Sequence, residues 1–222
     1  MRFSQKYQPE RLSDIVGQPA VVRRLQTFVI EPYPACFLFE GQGGTGKSAT
    51  AQALIRELGV GHFSVAEYAG ADLKIEDVDR LFRHTFRLRP MMGSDWHVLL
   101  IEELEFAASK QVNSALKRYL SEQNMPPRLI VVATSNDAGG LDRALLQRFT
   151  VLAYSSGPSF ADACLERLHA IWEQEMGDAP FPSDTLGLGW DGDRYSMRLA
   201  LAALHATALH ATARRAVGKG VV

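Results

Sequence analysis

The 222-residue chain has few cysteines, no long apolar run and almost no charge excess. Its two cysteines, Cys36 and Cys164, and the lack of CxxC or HExxH spacing exclude a disulfide framework and a four-cysteine zinc site. Both read as free thiols of a reducing compartment. No apolar run approaches the ~20 residues needed to cross a bilayer, and the polar stretch Met1 to Glu10 lacks the apolar core of a signal peptide. A cytoplasmic protein without a membrane partner is expected. Lys and Arg number 24 against 25 Asp and Glu, a net charge of −1, which confines any nucleic-acid contact to a local patch. No internal repeat is visible. With 46% hydrophobic and 22% charged residues, the composition is that of a globular protein, long enough for one full-sized domain and one small one.

Short apolar runs alternate with amphipathic stretches up to about Tyr154. Cys36 to Phe39, Phe63 to Tyr68, His97 to Ile101, Leu129 to Ala133 and Thr150 to Tyr154 read as strands. Helical patterns run from Ser48 to Leu58, about Ile75 to Leu88, and about Ser109 to Glu122, and a turn-like Met92-Gly93-Ser94-Asp95 precedes the third strand. Strands apolar on both faces and joined by helices imply a parallel sheet covered on each side, an α/β fold. Ser155-Ser156-Gly157-Pro158 reads as a boundary, giving a domain at 1–155 and a small helical one at 156–222. In the latter, Phe160, Cys164, Leu168 and Ile171 form one stripe, and Met197, Leu201, Leu204 and Ala208 form another on a helix expected over Arg194 to Ala216, with basic residues Arg214, Arg215 and Lys219 at its end.

The strongest chemical signal is Gly41-Gln42-Gly43-Gly44-Thr45-Gly46-Lys47-Ser48, followed by Ala49, which satisfies G-x-x-x-x-G-K-[ST] between a strand and a helix. The glycines let consecutive backbone N–H groups converge on phosphate oxygens, and the following helix adds the positive end of its dipole. Lys47 is placed to hold β- and γ-phosphates, and the Ser48 hydroxyl to ligate Mg²⁺. Hydrolysis also needs acids at the end of a neighbouring strand. Glu102 and Glu103 follow Val98 to Ile101 and supply them, Glu102 on the magnesium side and Glu103 as the base for the attacking water. The alternative is a pair of solvated acids at a strand end.

These residues carry a family resemblance. The chain resembles an AAA+ ATPase, and within that group clamp-loader ATPase subunits such as replication factor C small subunits and the bacterial DNA polymerase III gamma/tau subunits. The opening Lys6-Tyr7-Gln8-Pro9 through Leu12, Asp14-Ile15-Val16-Gly17-Gln18 is similar to the segment that closes over adenine in that family. The resemblance implies a P-loop AAA+ sheet followed by a helical lid, with ATP and Mg²⁺ bound. It implies a base pocket formed with Tyr7, Pro9, Ile15 and Val16. It also implies a polar sensor at Asn136, ending Ala133-Thr134-Ser135-Asn136. Leu141 to Phe149 is similar to the segment ending in SRC or SRF, which makes Arg148 a candidate arginine finger for a neighbouring subunit, or else a surface arginine. Ser196 to Leu201 is similar to the family's DMRRALN stretch, which makes Arg198 a lid arginine at the γ-phosphate, with Arg194 and His205 on the same helix face.

Three departures accompany the matches. Glu102 stands where Asp is usual; its extra methylene displaces the carboxylate against a metal that demands near-octahedral geometry, which opens a reading of slow or absent hydrolysis. The SRC triplet reads Gln147-Arg148-Phe149, and the zinc module of the bacterial subunits is missing. Set against that resemblance no room is expected for a C-terminal collar after the lid, so a ring or arc of AAA+ subunits is expected to need either a partner that supplies it or a different assembly contact. The primary expectation is an ATP-driven clamp-loader-like protein whose partners are other AAA+ subunits, a sliding clamp and primer-template DNA. A branch-migration or remodelling motor is the second, because Ala138-Gly139-Gly140-Leu141 is similar to a loop of Holliday-junction motors. A non-hydrolysing nucleotide-gated assembly module is the third. DNA-facing candidates are Arg80, Arg83 and Arg87 on one helix face and Lys110 and Lys117 on another, with solvated charged faces as the alternative.

Overall fold

In a computed structural model the described residues are 1–90, 93–107 and 110–218. Met92, Ser109 and Lys219, and the side chains of Arg214 and Arg215, which figured in the expected turn, helix start and basic helix end, lie outside what is described.

A single turn, α1 (Phe3–Lys6), and an extended strap lead to α2 (Pro19–Ile30). α2 lies outside the expected elements. Pro19 presets φ at its first turn, and Val21, Leu25 and Phe28 bury one face at helical spacing. Next come β1 (Ala35–Glu40), α3 (Lys47–Glu57), β2 (Val65–Ala69), α4 (Ile75–Arg83), β3 (His97–Glu102), α5 (Lys110–Tyr119), β4 (Leu129–Ser135), α6 (Arg143–Leu146) and β5 (Thr150–Ala153). The five strands form one parallel sheet in the order β2-β3-β4-β1-β5.

Alternation along each strand divides the core in two. Leu38, Leu99, Ile101, Val131 and Ala133 point to one face and pack with Val78, Phe82 and Leu116 of α4 and α5. Phe37, Phe39, Leu100, Ile130 and Val132 point to the other and pack with Leu25, Phe28, Ala51 and Leu54 of α2 and α3. Each fully buried Leu or Phe side chain here contributes roughly 1.5–3 kcal/mol. Both cysteines are free and buried, Cys36 at the sheet and Cys164 among the later helices, and burial pushes each thiol up to about 12. Among the described residues no helix is long and apolar enough to cross a membrane.

After β5 the chain is mainly helical: α7 (Pro158–Met176), a hairpin of β6 (Trp190–Asp191) and β7 (Arg194–Tyr195), and α8 (Met197–Gly218). The two expected stripes meet here, with Phe160, Cys164, Leu168 and Ile171 of α7 against Leu201, Leu204 and Ala208 of α8 in one core that also takes in Phe3 and the hairpin's Tyr195.

Three expectations fail in detail. Phe63 and Ser64, expected in the second strand, lie in a tight turn over His62–Ser64, and β2 begins only at Val65. The helix expected over Ile75 to Leu88 stops at Arg83, because His84 (φ −122°, ψ −67°) leaves helical geometry and a tight turn over Thr85–Arg87 follows. Arg87 therefore does not share the helix face of Arg80 and Arg83. Arg194 belongs to β7 rather than the last helix, so it does not share a helix face with Arg198 and His205.

Candidate functional site

The sheet order places β4 between β3 and β1, so the loops after β1, β3 and β4 open at one carboxyl edge, where parallel sheets bind ligands. Three sequence signals meet there: the glycine loop follows β1, Glu102 ends β3 with Glu103 just beyond it, and Asn136 follows β4. They line one cavity of about 580 Å³ together with the strap and the start of α8.

The loop folds around Lys47. Gly44 (φ +83°) and Gly46 (φ +98°) adopt left-handed backbone that lets the chain curl into the first turn of α3. Lys47 is buried, and its Nζ donates to the carbonyl oxygens of Gly41 and Gln42 (2.8 Å) and to Asn136 Oδ1 (3.0 Å). Burial lowers this ammonium to about 8; Glu105 and Glu103 oppose that shift, and Arg198 adds to it by like-charge repulsion. Two cations and the N-terminus of α3 thus converge on one polar cavity, an arrangement suited to a polyanion.

The far wall is the start of α8. The Met197 N–H donates to Gly44 O (3.1 Å), and a Cβ on Gly44 would overlap the Ser196 hydroxyl, so α8 sits directly on the loop. At the other end lie Tyr7, Pro9, Ile15 and Val16 of the strap with Arg167 and Ile171 of α7. The strap is tied to α7 by Glu175, whose carboxylate accepts from Lys6 and Tyr7 and is held below its usual range by those bonds. Gln18 joins strap, sheet and loop: its amide donates to Ser155 O (2.9 Å) and Thr45 O (3.4 Å) and its oxygen accepts from the Ser155 N–H (3.0 Å).

Glu103 is the one non-glycine residue at positive φ among the described residues (φ +55°). Such backbone costs on the order of 1–3 kcal/mol and persists only where its surroundings over-determine it. Here the Glu103 N–H donates to Thr134 Oγ1 (3.0 Å), and Gly70, just after β2, packs so closely that a Cβ on it would overlap the Glu103 carbonyl. Gly70→Ala is therefore expected to lose about 1–3 kcal/mol of stability by overpacking, read by urea unfolding, and to slow any turnover through Glu103. Unchanged stability would contradict this packing.

Of the residues expected from sequence, Tyr7, Pro9, Ile15, Val16, Gly43 to Ala49, Glu102, Glu103, Asn136 and Arg198 line the cavity. Gly41 and Gln42 stand behind it and meet Lys47 through their carbonyls. Arg148 is exposed and does not line the cavity of its own chain. Gly70, Glu105 and Arg167 lie outside the motifs read from the sequence and reach the site through space, whereas Thr134 and Ser196 belong to those motifs and acquire their contacts with Glu103 and Gly44 only in the fold.

The proposed nucleic-acid residues are mostly engaged within the chain. Arg80 pairs with Asp77 (3.0 Å) and donates to the Tyr68 hydroxyl; Arg83 meets Asp79 (3.6 Å) and the Tyr119 hydroxyl; Arg87 donates to Phe82 O (3.2 Å). Lys117 pairs with Asp142 (3.0 Å), and Lys110 is exposed.

Comparison with known proteins agrees with this geometry. The family model "ATPase family associated with various cellular activities (AAA)" matches residues 37–156, more than half of the chain. The chain belongs to the AAA ATPase family. The AAA chain is 29% identical over 207 residues to the replication factor C small subunit of Halobacterium salinarum, covering 92% of this chain and 62% of that protein. It is 30% identical over 206 residues to replication factor C subunit 3 of Blastobotrys adeninivorans, covering 91% of this chain and 59% of that protein. The AAA chain thus spans about three-fifths of the length of these curated relatives. Among solved structures, the Thermotoga maritima RuvB Holliday junction branch migration motor superposes with a TM-score of 0.64 at 20% identity, over 88% of this chain and 63% of that one. A point mutant of Thermotoga maritima RuvB gives 0.67 at 20% identity, over 89% and 64%. At that identity the likeness establishes the fold.

Proposed function

We propose that this AAA chain binds ATP with Mg²⁺ and hydrolyses it as a subunit of a clamp-loader-like assembly of DNA replication. The observation that carries the reading is the convergence on one cavity of Lys47, the acids at the end of β3 and Asn136 after β4, roofed by the strap and Arg198. The similarity to replication factor C subunits supports the replication setting. Residues 1–155 serve as the ATPase domain and residues 156–222 as its lid.

In this reading the triphosphate replaces the partners that now hold Lys47. The loop N–H groups from Gly43 to Ser48 and the Lys47 ammonium hold the β- and γ-phosphates, and Arg198 reaches them from the lid. Tyr7, Pro9, Ile15 and Val16 enclose the base. Ser48 and Glu102, which line the same cavity, are the oxygen donors that fit Mg²⁺; the ion supplies charge neutralisation for the phosphates. Glu103 takes the proton of the attacking water, and the Asn136 amide orients that water against the γ-phosphate. Arg148 acts on the site of a neighbouring subunit, consistent with its exposure away from its own cavity. Sliding clamp and primer-template DNA are the partners on which the cycle acts.

The arginine assignment has a direct test. Arg148→Ala is expected to lower turnover by at least ~100-fold while ATP still binds, since a finger supplied in trans contributes about 10³–10⁵. Mixing Arg148→Ala with Lys47→Ala chains should recover part of the activity, because the second supplies its arginine to the intact site of the first. Full activity of Arg148→Ala would contradict the assignment. Stimulation of the ATPase by primed DNA with a clamp, and not by four-way junctions, would separate the replication reading from that of a branch-migration motor.

A further inference from the structure

Asn136 stands one residue beyond the end of β4. β1 pairs with β4 only as far as Glu40 opposite Ser135, so the sheet ladder offers the Asn136 N–H no partner. The acceptor is a side chain: the Asn136 N–H donates to Glu105 Oε1 (2.9 Å). Asn136 in turn presents its Oδ1 to Lys47 Nζ (3.0 Å). Glu105 sits in the tight turn Leu104–Phe106, two residues after Glu103, and the neighbouring Leu104 anchors that turn in the core at 1% exposure. Glu105 Oε2 is buried and has no hydrogen-bond partner among the described residues. Its charge also acts on Lys47, where it is the largest influence opposing the lowering of the ammonium by burial.

We infer that Glu105 is a positioning residue for the hydrolytic step: it holds the backbone of Asn136 and thereby ties the turn bearing Glu103 to the amide that faces the γ-phosphate. This rests on the ATPase reading above. Glu105 does not line the cavity, so it acts through Asn136 and not on the substrate. The hydrogen bond requires an acceptor at the end of a two-methylene side chain. Gln supplies that acceptor without the charge; Ala supplies neither.

The test is a double-mutant cycle read in steady-state ATPase kinetics of the full chain, with ATP affinity measured separately. Glu105→Ala is expected to lower kcat about tenfold while KM and ATP affinity stay within about threefold. Glu105→Gln should keep kcat within about threefold of the parent. The double variant Glu105→Ala/Asn136→Ala should turn over no more slowly than Asn136→Ala alone. The Asn136 amide should exchange its hydrogen faster in Glu105→Ala than in Glu105→Gln, a readout that needs no turnover. Multiplying losses, or a Gln variant as slow as the Ala variant, would overturn the inference and leave the ATPase reading intact. A parent chain that binds ATP without turnover would remove both.

Discussion

Glu103→Gln is expected to lower ATP turnover by at least ~100-fold with ATP still bound, the range that general-base groups contribute. The substitution keeps the size of the side chain and leaves the backbone bond from the Glu103 N–H to Thr134 in place. Gly70 still packs against the turn, so the strained φ of +55° is still enforced. What disappears is the carboxylate that accepts a proton from water. The measurement is phosphate release under saturating ATP beside a binding titration. Turnover within tenfold of the parent would remove Glu103 from the role of base and shift attention to Glu102.

Lys47→Ala is expected to weaken ATP binding by at least ~100-fold. Its ammonium makes charge-assisted hydrogen bonds in a buried setting, and each bond of that kind contributes about 1.5–3 kcal/mol. The pH dependence follows from the same residue. Burial lowers Lys47 to about 8 in the free chain, and the protonated form is the one that attracts phosphate. Raising pH through 8 should therefore weaken ATP binding, because a growing share of free sites must take up a proton before they bind. Binding should couple to proton uptake above pH 8, and Lys47→Ala should lose that dependence. Folding stability moves the opposite way: Lys47 binds its proton less tightly when folded than unfolded, so its contribution grows as pH rises from about 8 toward 10.5 and is lost as pH falls back to 8. Affinity that stays flat from pH 7 to 9.5 would contradict the role assigned to Lys47.

Much of the site was legible because its chemistry is written in contiguous residues. Gly41 to Ser48 announces a phosphate loop, since only closely spaced glycines permit its left-handed turns. Glu102 and Glu103 were readable as strand-end acids from the apolar run before them. The two stripes of the C-terminal helices were readable from spacing alone, and they meet in one core as expected. The residues that were not legible act across the sheet. Nothing in the sequence near Gly70 indicates that it packs against the backbone of Glu103, and nothing near Glu105 indicates a partner after β4, because both contacts depend on strand order. The helix break at His84 was hidden by an unbroken apolar periodicity through Phe82 and Phe86. Arg194 fits the helical pattern of the sequence although it lies in β7, because a two-residue strand leaves no periodic signal.

The most direct measurement is a calorimetric titration of the full chain with ATP in the presence of Mg²⁺. One nucleotide per chain, saturable, with the heat lost in Lys47→Ala, is the result the account predicts. No saturable binding, or binding that Lys47→Ala leaves unchanged, would contradict it.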